Sequence, residues 1–217
     1  MAESAPAKKA RARKLIRILE RDYSDAKIAL DFGSPLELLV ATILAAQCTD
    51  ERVNQVTKVL FKKYLSAADY ARAVPAAVER EIHSTGFYKA KARAIIGMAK
   101  DLVAKHRGQV PQTLEELVAL PGVGRKTANV VLGNAYGQPA IAVDTHVFRV
   151  SQRLGLAKSD DPEQVHAQLC LVLPKPKWTQ ITHLLTTHGR RICQARKPAC
   201  PECPVRALCP WPEKSLR

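Results

Sequence analysis

Residues 120–131 read LPGVGRKTANVV, two glycines and two cations set inside an otherwise apolar stretch. Two readings compete for it. A nucleotide-binding loop needs G-x-x-x-x-G-K-[ST] directly after a strand, but counting back from Lys126 the required glycines fall on Arg125 and Leu120. The residues before it, 113–120 (TLEELVAL), have a helical pattern, so the arrangement is helix, Pro121-Gly122-Val123-Gly124, helix. In such a helix-hairpin-helix, glycines let the backbone turn with no Cβ in the way. The amides of Gly122, Val123 and Gly124, with Arg125 and Thr127 in the next helix's first turn, then face outward, where the positive end of the helix dipole favours a phosphate. This grips a backbone without reading a sequence. A plain glycine-rich connector explains the hairpin alone at least as well, and the rest of the chain must decide.

The composition leans toward a polyanion. The chain of 217 residues carries 34 Lys and Arg against 20 Asp and Glu, a net charge of +14. Residues 1–21 hold seven basic and two acidic side chains, and residues 188–217 again seven and two, so the two ends supply most of the excess. A solvated basic surface of no consequence would not concentrate charge this way. The longest apolar run, residues 38–46 (LLVATILAA), is half of the about 18 to 20 residues that a membrane span needs. The leader MAESAPAKKARARK lacks an apolar core and reads as a flexible basic tail without a secretion signal, as expected of a cytoplasmic protein.

Helix signals dominate the pattern. Ser34-Pro35-Leu36-Glu37 offers an N-cap, a first-turn proline and a glutamate three residues after the cap, opening the apolar run. Thr49 or Asp50, Ser66 with Asp69, Thr113 with Glu116, and Asp161-Pro162 with Gln164 repeat the start signal, while Gly86, Gly108 and Gly155 read as stops. Almost nothing alternates with period two, so the fold class is all-α, with helices of about 8 to 18 residues. Asp144, in PAIAVDTHVFRV, can cap a helix running to Leu154 and needs no other role on that reading. Taken alone, Lys126 is a solvated helix residue or a phosphate contact. Tyr88, Lys89 and Lys91 are candidate DNA-backbone contacts on charge, Cys48 and Cys170 read as core, and His146 and His188 as satisfied helix residues.

Cys193, Cys200, Cys203 and Cys209 follow a C-x6-C-x2-C-x5-C spacing in a proline-rich run. Four soft ligands so close together indicate a metal site, with zinc and an iron-sulfur cluster both open.

LPGVGRKTANVVL, then AVDTHVFRV, then the four cysteines, in this order and spacing, resemble the endonuclease III family of DNA glycosylases and abasic-site lyases, in the helix-hairpin-helix superfamily, from about residue 15 onward. The resemblance implies two helical domains with a cleft between them: a six-helix barrel over residues 28–138, and a cluster domain made of 1–27 plus 139–217. It implies that Lys126 is the nucleophile and Asp144 its partner, both facing the cleft, and that Cys193, Cys200, Cys203 and Cys209 hold a [4Fe-4S] cluster, a choice that one CxxC flanked by wider gaps also favours over zinc. Gln47 matches the family residue that enters the gap left by an extruded base. Phe87 stands at the position of an apolar wedge that is usually aliphatic, a departure. On the bland reading Gln47 merely ends a helix and Phe87 is core. Arg196, Lys197 and Arg206 on the cysteine loop become phosphate contacts.

The implied partner is double-stranded DNA with an oxidised pyrimidine or an abasic site, met by a monomer. The implied reaction is base excision with β-elimination through a lysine imine. Lysine suits it, but a reference pKa near 10.4 leaves only about one amine in 2,500 neutral at pH 7, so desolvation or nearby positive charge must favour the free amine. The alternatives are an adenine mismatch glycosylase of the same superfamily, which normally lacks the lysine and carries a further domain, and a non-catalytic DNA-binding module.

Overall fold

Side-chain caps set the register of most helices. Ser34 Oγ accepts from the Glu37 amide at 3.2 Å while the Glu37 carboxylate accepts from the Gly33 amide at 2.5 Å, and Ser66 with Asp69 forms a full reciprocal box. Thr49, Thr113, Asp144 and Asp161 each cap a helix start in the same way. The resulting computed structural model describes residues 3–213. Residues 1–2 and 214–217, which the expected cluster domain and the basic ends include, lie outside them.

Among the described residues the chain is helical, with no β-strand. In order the helices are α1 (Ala5–Asp22), α2 (Pro35–Leu44), α3 (Asp50–Lys63), α4 (Ala67–Arg72), α5 (Pro75–Ile82), α6 (Tyr88–His106), α7 (Leu114–Val118), α8 (Arg125–Ala135), α9 (Thr145–Arg153), α10 (Pro162–Val172) and α11 (Trp178–Arg191). They form two compact units, one of Ala29–Gln138 and one of Met1–Ile28 with Pro139–Arg217.

The unit of Ala29–Gln138 is built around α2. Leu38, Leu39, Val40, Ala41 and Leu44 are fully buried, and α2 packs on α3, α6 and α8. A helix apolar on all sides can only be a central one. The apolar run itself extends to Ala46, but α2 ends at Leu44 and residues 45–47 form a turn that brings Gln47 to φ 52°.

The other unit packs α1 against α10 and α11 and closes over α9. Its core joins Leu15, Ile16 and Leu19 of α1 to Val147, Val150, Leu169, Leu184 and Leu185. This corrects the reading of the N-terminus as a flexible tail. Ser4 caps α1, Pro6 lies in its first turn, and Ala12, Leu15, Ile16 and Leu19 supply one buried stripe beneath the basic residues. Each fully buried aliphatic side chain there contributes about 1.5 to 3 kcal/mol, enough to order a helix whose other face is charged.

Candidate active site

The hairpin belongs to the unit of Ala29–Gln138. After α7 the chain turns through Pro121 and Gly122, and Gly124 starts α8 with extended backbone and no side-chain cap. Gly122 has φ 75°, and a Cβ there would lie 2.6 Å from the Ala94 Cβ, so only glycine fits on two independent grounds. Gly97 on α6 packs against Pro121 in the same way, where a Cβ would stand 3.3 Å from the proline ring. The hairpin is therefore pressed onto α6. Beneath it Leu117, Leu120, Val123, Ala128 and Val131 are buried, while Arg125 and Lys126 stand exposed on the first turn of α8 and Thr127 is half-buried.

Lys126 is thus presented next to a helix N-terminus, whose first amides have no partner within the helix. The protein does not bury it. Arg125 and the start of α8 place positive charge beside it.

Gln47 and Phe87 lie in the same unit. Both are non-glycine residues in the left-handed region, at φ 52° and 48°. Such backbone costs on the order of 1 to 3 kcal/mol each and persists only where the surroundings enforce it. Gln47 is exposed, and Phe87 is 66% exposed at the start of α6, so the reading of Phe87 as core is wrong. Gly86 and the short 3-10 turn before it turn the ring outward from a segment whose Thr85 and Ile82 are buried.

Lys91 is a second correction. Charge suggested a DNA contact, but it is 5% exposed, and its ammonium donates to the carbonyls of Leu44 and Thr85, each at 2.8 Å. Burial holds the ammonium below its usual range. Cys48, expected in the core, sits half-buried on the connector before α3.

Asp144 belongs to the other unit. Its Oδ1 accepts from the Val147 amide at 2.6 Å, the helix cap expected from the sequence, and its Oδ2 accepts from the Thr186 hydroxyl at 3.3 Å. Both donors are neutral, and together they hold the carboxylate in one orientation. His146 and His183 stand nearby: burial holds both imidazoles below their usual range, and the Asp144 charge works against that shift. Thr186 and His183 were not found from the sequence. They sit three residues apart on α11, 42 and 39 positions after Asp144, and no local pattern marks such a pairing.

The cysteine loop lies in this unit too. Two arginines of α9 hold its backbone: Arg149 donates to the carbonyls of Cys193 at 3.1 Å and Gly189 at 2.9 Å, and Arg153 to those of Gln194 at 2.7 Å and Ala195 at 3.1 Å. Arg153 also approaches the Cys193 sulfur at 3.5 Å, and the Cys209 thiol donates to the Arg153 carbonyl at 3.4 Å. His188, buried on α11, links the Tyr23 hydroxyl at 2.8 Å to the Cys203 sulfur at 3.7 Å. All four cysteines are free thiols, and Cys203, its thiol pushed up to about 11 by burial, lies within electrostatic reach of the other three. Their donor chemistry fits a four-thiolate group, although among the described residues no three His, Cys, Asp or Glu side chains are gathered in a metal-holding arrangement. Arg196 and Lys197 are exposed on the loop, Lys197 with φ 50°.

A model of the HhH-GPD superfamily of base excision DNA repair proteins matches residues 40–175, which include the hairpin, Lys126 and Asp144. The endonuclease III of Synechocystis sp. is 49% identical over 96% of this chain and 95% of its own length. The chain belongs to the endonuclease III family. Escherichia coli K12 endonuclease III is 41% identical over 95% of the chain and 98% of its own length, and the Bacillus subtilis enzyme 46% over 86% of each. Two solved endonuclease III structures agree in fold across almost the whole chain. A non-covalent DNA complex has a TM-score of 0.89 at 45% identity, covering 93% of this chain and 95% of that one. A trapped covalent DNA intermediate has 0.91 at 44%, covering 96% and 99%. A thermostable thymine-DNA glycosylase, at 25% identity and a TM-score of 0.83, shares the same helical architecture.

Proposed function

We propose that this endonuclease III family member is a bifunctional DNA glycosylase and abasic-site lyase of base excision repair, acting as a monomer on oxidised pyrimidines in duplex DNA. The observation that carries the reading is Lys126 itself, a solvent-facing amine on the first turn of α8 directly behind the Gly122–Gly124 hairpin. A phosphate held by the hairpin amides, Arg125 and Thr127 would set the neighbouring sugar beside that amine.

The reaction then needs little else. The Lys126 amine attacks C1′ as the bond to the base breaks, and the base leaves with the bonding electrons and takes up a proton. Opening of the sugar ring leaves an imine between Nζ and C1′. Loss of a C2′ proton expels the 3′ phosphate, and water returns the free amine. Asp144, fixed by Val147 and Thr186, supplies negative charge to the sugar as positive charge develops there, and takes part in the proton transfers. Because the protein leaves Lys126 exposed, the amine is open to the sugar of a bound duplex.

A base inside the stack must be extruded first. Gln47 and Phe87, outward-facing and held in a conformation that residues avoid when free to relax, are suited to occupy the vacated space. Arg196 and Lys197 extend the phosphate contacts. Cys193, Cys200, Cys203 and Cys209 would hold a [4Fe-4S] cluster, which supplies a cross-link closing the loop that carries those two cations. Replacing Lys126 by Gln tests the reading: strand cleavage at an abasic site is expected to vanish while binding to the same DNA stays within about threefold. Full cleavage by that variant would sink the proposal.

A further inference from the structure

Lys91 is a buried cation whose two side-chain hydrogen bonds both end on backbone carbonyls. Taking an ammonium out of water is costly, and an apolar side chain of similar length would fill the space more cheaply if filling were all that is required. What an apolar side chain cannot do is hold two acceptors at once. The carbonyls belong to Leu44, the last residue of α2, and Thr85, the last residue of the 3-10 turn before α6. Each bond is 2.8 Å long, so the two oxygens stand no farther apart than twice that distance.

The position of those carbonyls gives the bridge its meaning. Leu44 is three residues before Gln47, and Thr85 two residues before Phe87. Gln47 and Phe87 are two of the four non-glycine residues with positive φ among the described residues, and both are exposed. The Lys91 amide also donates to the Phe87 carbonyl at 3.0 Å, so one residue is bonded to the Phe87 segment through main chain and side chain alike. The cation lies where the negative end of the α2 dipole adds to its binding. Thr85 is fixed in turn, since its buried hydroxyl donates to the Ile82 carbonyl at 2.8 Å.

We infer that Lys91 is a positioning residue for base extrusion, its buried ammonium cross-linking the two segments that carry Gln47 and Phe87 and so fixing the spacing of the side chains that enter the duplex. The inference rests on the reading of Gln47 and Phe87 as gap-filling residues. Lys91 is buried with its ammonium turned to the two carbonyls, so it acts on a bound duplex through the segments it joins. Its loss leaves the chemistry intact and loosens the pair that displaces the base, so the loss is felt where the stack must be opened and much less where it is already open.

The experiment compares single-turnover removal of a thymine glycol from a fully paired duplex with removal of the same lesion from an unpaired bubble, using the full-length protein. In Lys91→Met the ratio of paired to bubble rates is expected to fall at least tenfold, with the bubble rate within about twofold of the parent. An unchanged ratio, or an equal fall of both rates, would overturn the inference, the second outcome marking a merely structural residue. Should Lys91→Met not fold, Lys91→Gln, whose shorter amide can reach only one carbonyl, is read by the same criterion. Gln47→Ala with Phe87→Ala provides the reference. If that pair leaves the paired-duplex rate intact, the gap-filling reading fails. If the pair lowers the rate and Lys91→Met does not, the bridge alone is wrong. Adding Lys91→Met to the pair should cause no further loss, and a fully additive loss would contradict the bridge.

Discussion

At the scale of single residues, the roles proposed for Lys126 and Asp144 make opposite demands. As nucleophile the lysine would have to stay mobile enough to attack, whereas the aspartate would have to hold still. The structure meets the second demand inside the protein, with one carboxylate oxygen on the Val147 amide and the other on the Thr186 hydroxyl. The cap and the chemistry of Asp144 can therefore be separated. Asn caps a helix about as well as Asp, so Asp144→Asn should leave stability within about 0.5 kcal/mol, and DNA affinity nearly unchanged, while single-turnover cleavage falls by two orders of magnitude or more. Asp144→Ala should add a loss of about 1 kcal/mol in urea unfolding, because the cap goes as well. Equal turnover in wild type and Asp144→Asn would reduce the residue to its cap. The cap was legible in AVDTHVFRV. The Thr186 contact was not, because it joins residues far apart in the chain. Lys91 was misread for the same reason: a lysine that bridges two carbonyls through its own unit looks, in sequence, like any solvated lysine beside Tyr88 and Lys89.

At the scale of elements, the hairpin is fixed by contact as much as by turn chemistry. Gly122→Ala meets both a left-handed backbone and the Ala94 side chain, and should cost about 2 to 4 kcal/mol in urea unfolding. Gly124→Ala has open space and φ −89°, and should cost well under half as much. Similar costs for the two would mean that the hairpin is not pressed onto α6. Helices α9 and α11 carry a different signature. Burial keeps His146 and His183 below their usual range in the folded protein, so as the pH drops the unfolded chain takes up protons first. The stability associated with these neutral rings is fully present above about pH 6.5 and is lost as the pH falls below it. The urea midpoint should decline between pH 7 and pH 5, and His183→Asn should flatten that slope; an identical slope in the variant would exclude His183 as a contributor. Helix starts were legible wherever a capping side chain announced them, from Ser34 to Asp161. The early start of helix α1 was hidden because seven basic residues in the first 21 outweigh, to the eye, the four that face the core.

At the scale of the whole molecule, the all-α class was readable from the absence of alternation, and the charge at the two ends pointed to a polyanion independently of any site. What composition could not give is which cations meet phosphate. Arg196 and Lys197 are exposed, but Lys91 is sequestered and Arg149 and Arg153 are committed to the carbonyls of the cysteine loop. Affinity for undamaged duplex should fall linearly with the logarithm of salt, and Arg196→Ala should reduce the slope by about 1 regardless of sequence. A slope unaffected by Arg196→Ala, Lys197→Ala and Arg125→Ala together would remove those residues from the DNA contact set.

The proposed chemistry requires the Lys126 amine to form the covalent bond to DNA. Duplex DNA with a single thymine glycol, incubated with the protein and then treated with borohydride, should give a cross-linked species on a denaturing gel that is absent from Lys126→Gln. A cross-link that persists in Lys126→Gln, or none in wild type with the DNA demonstrably bound, would contradict the account.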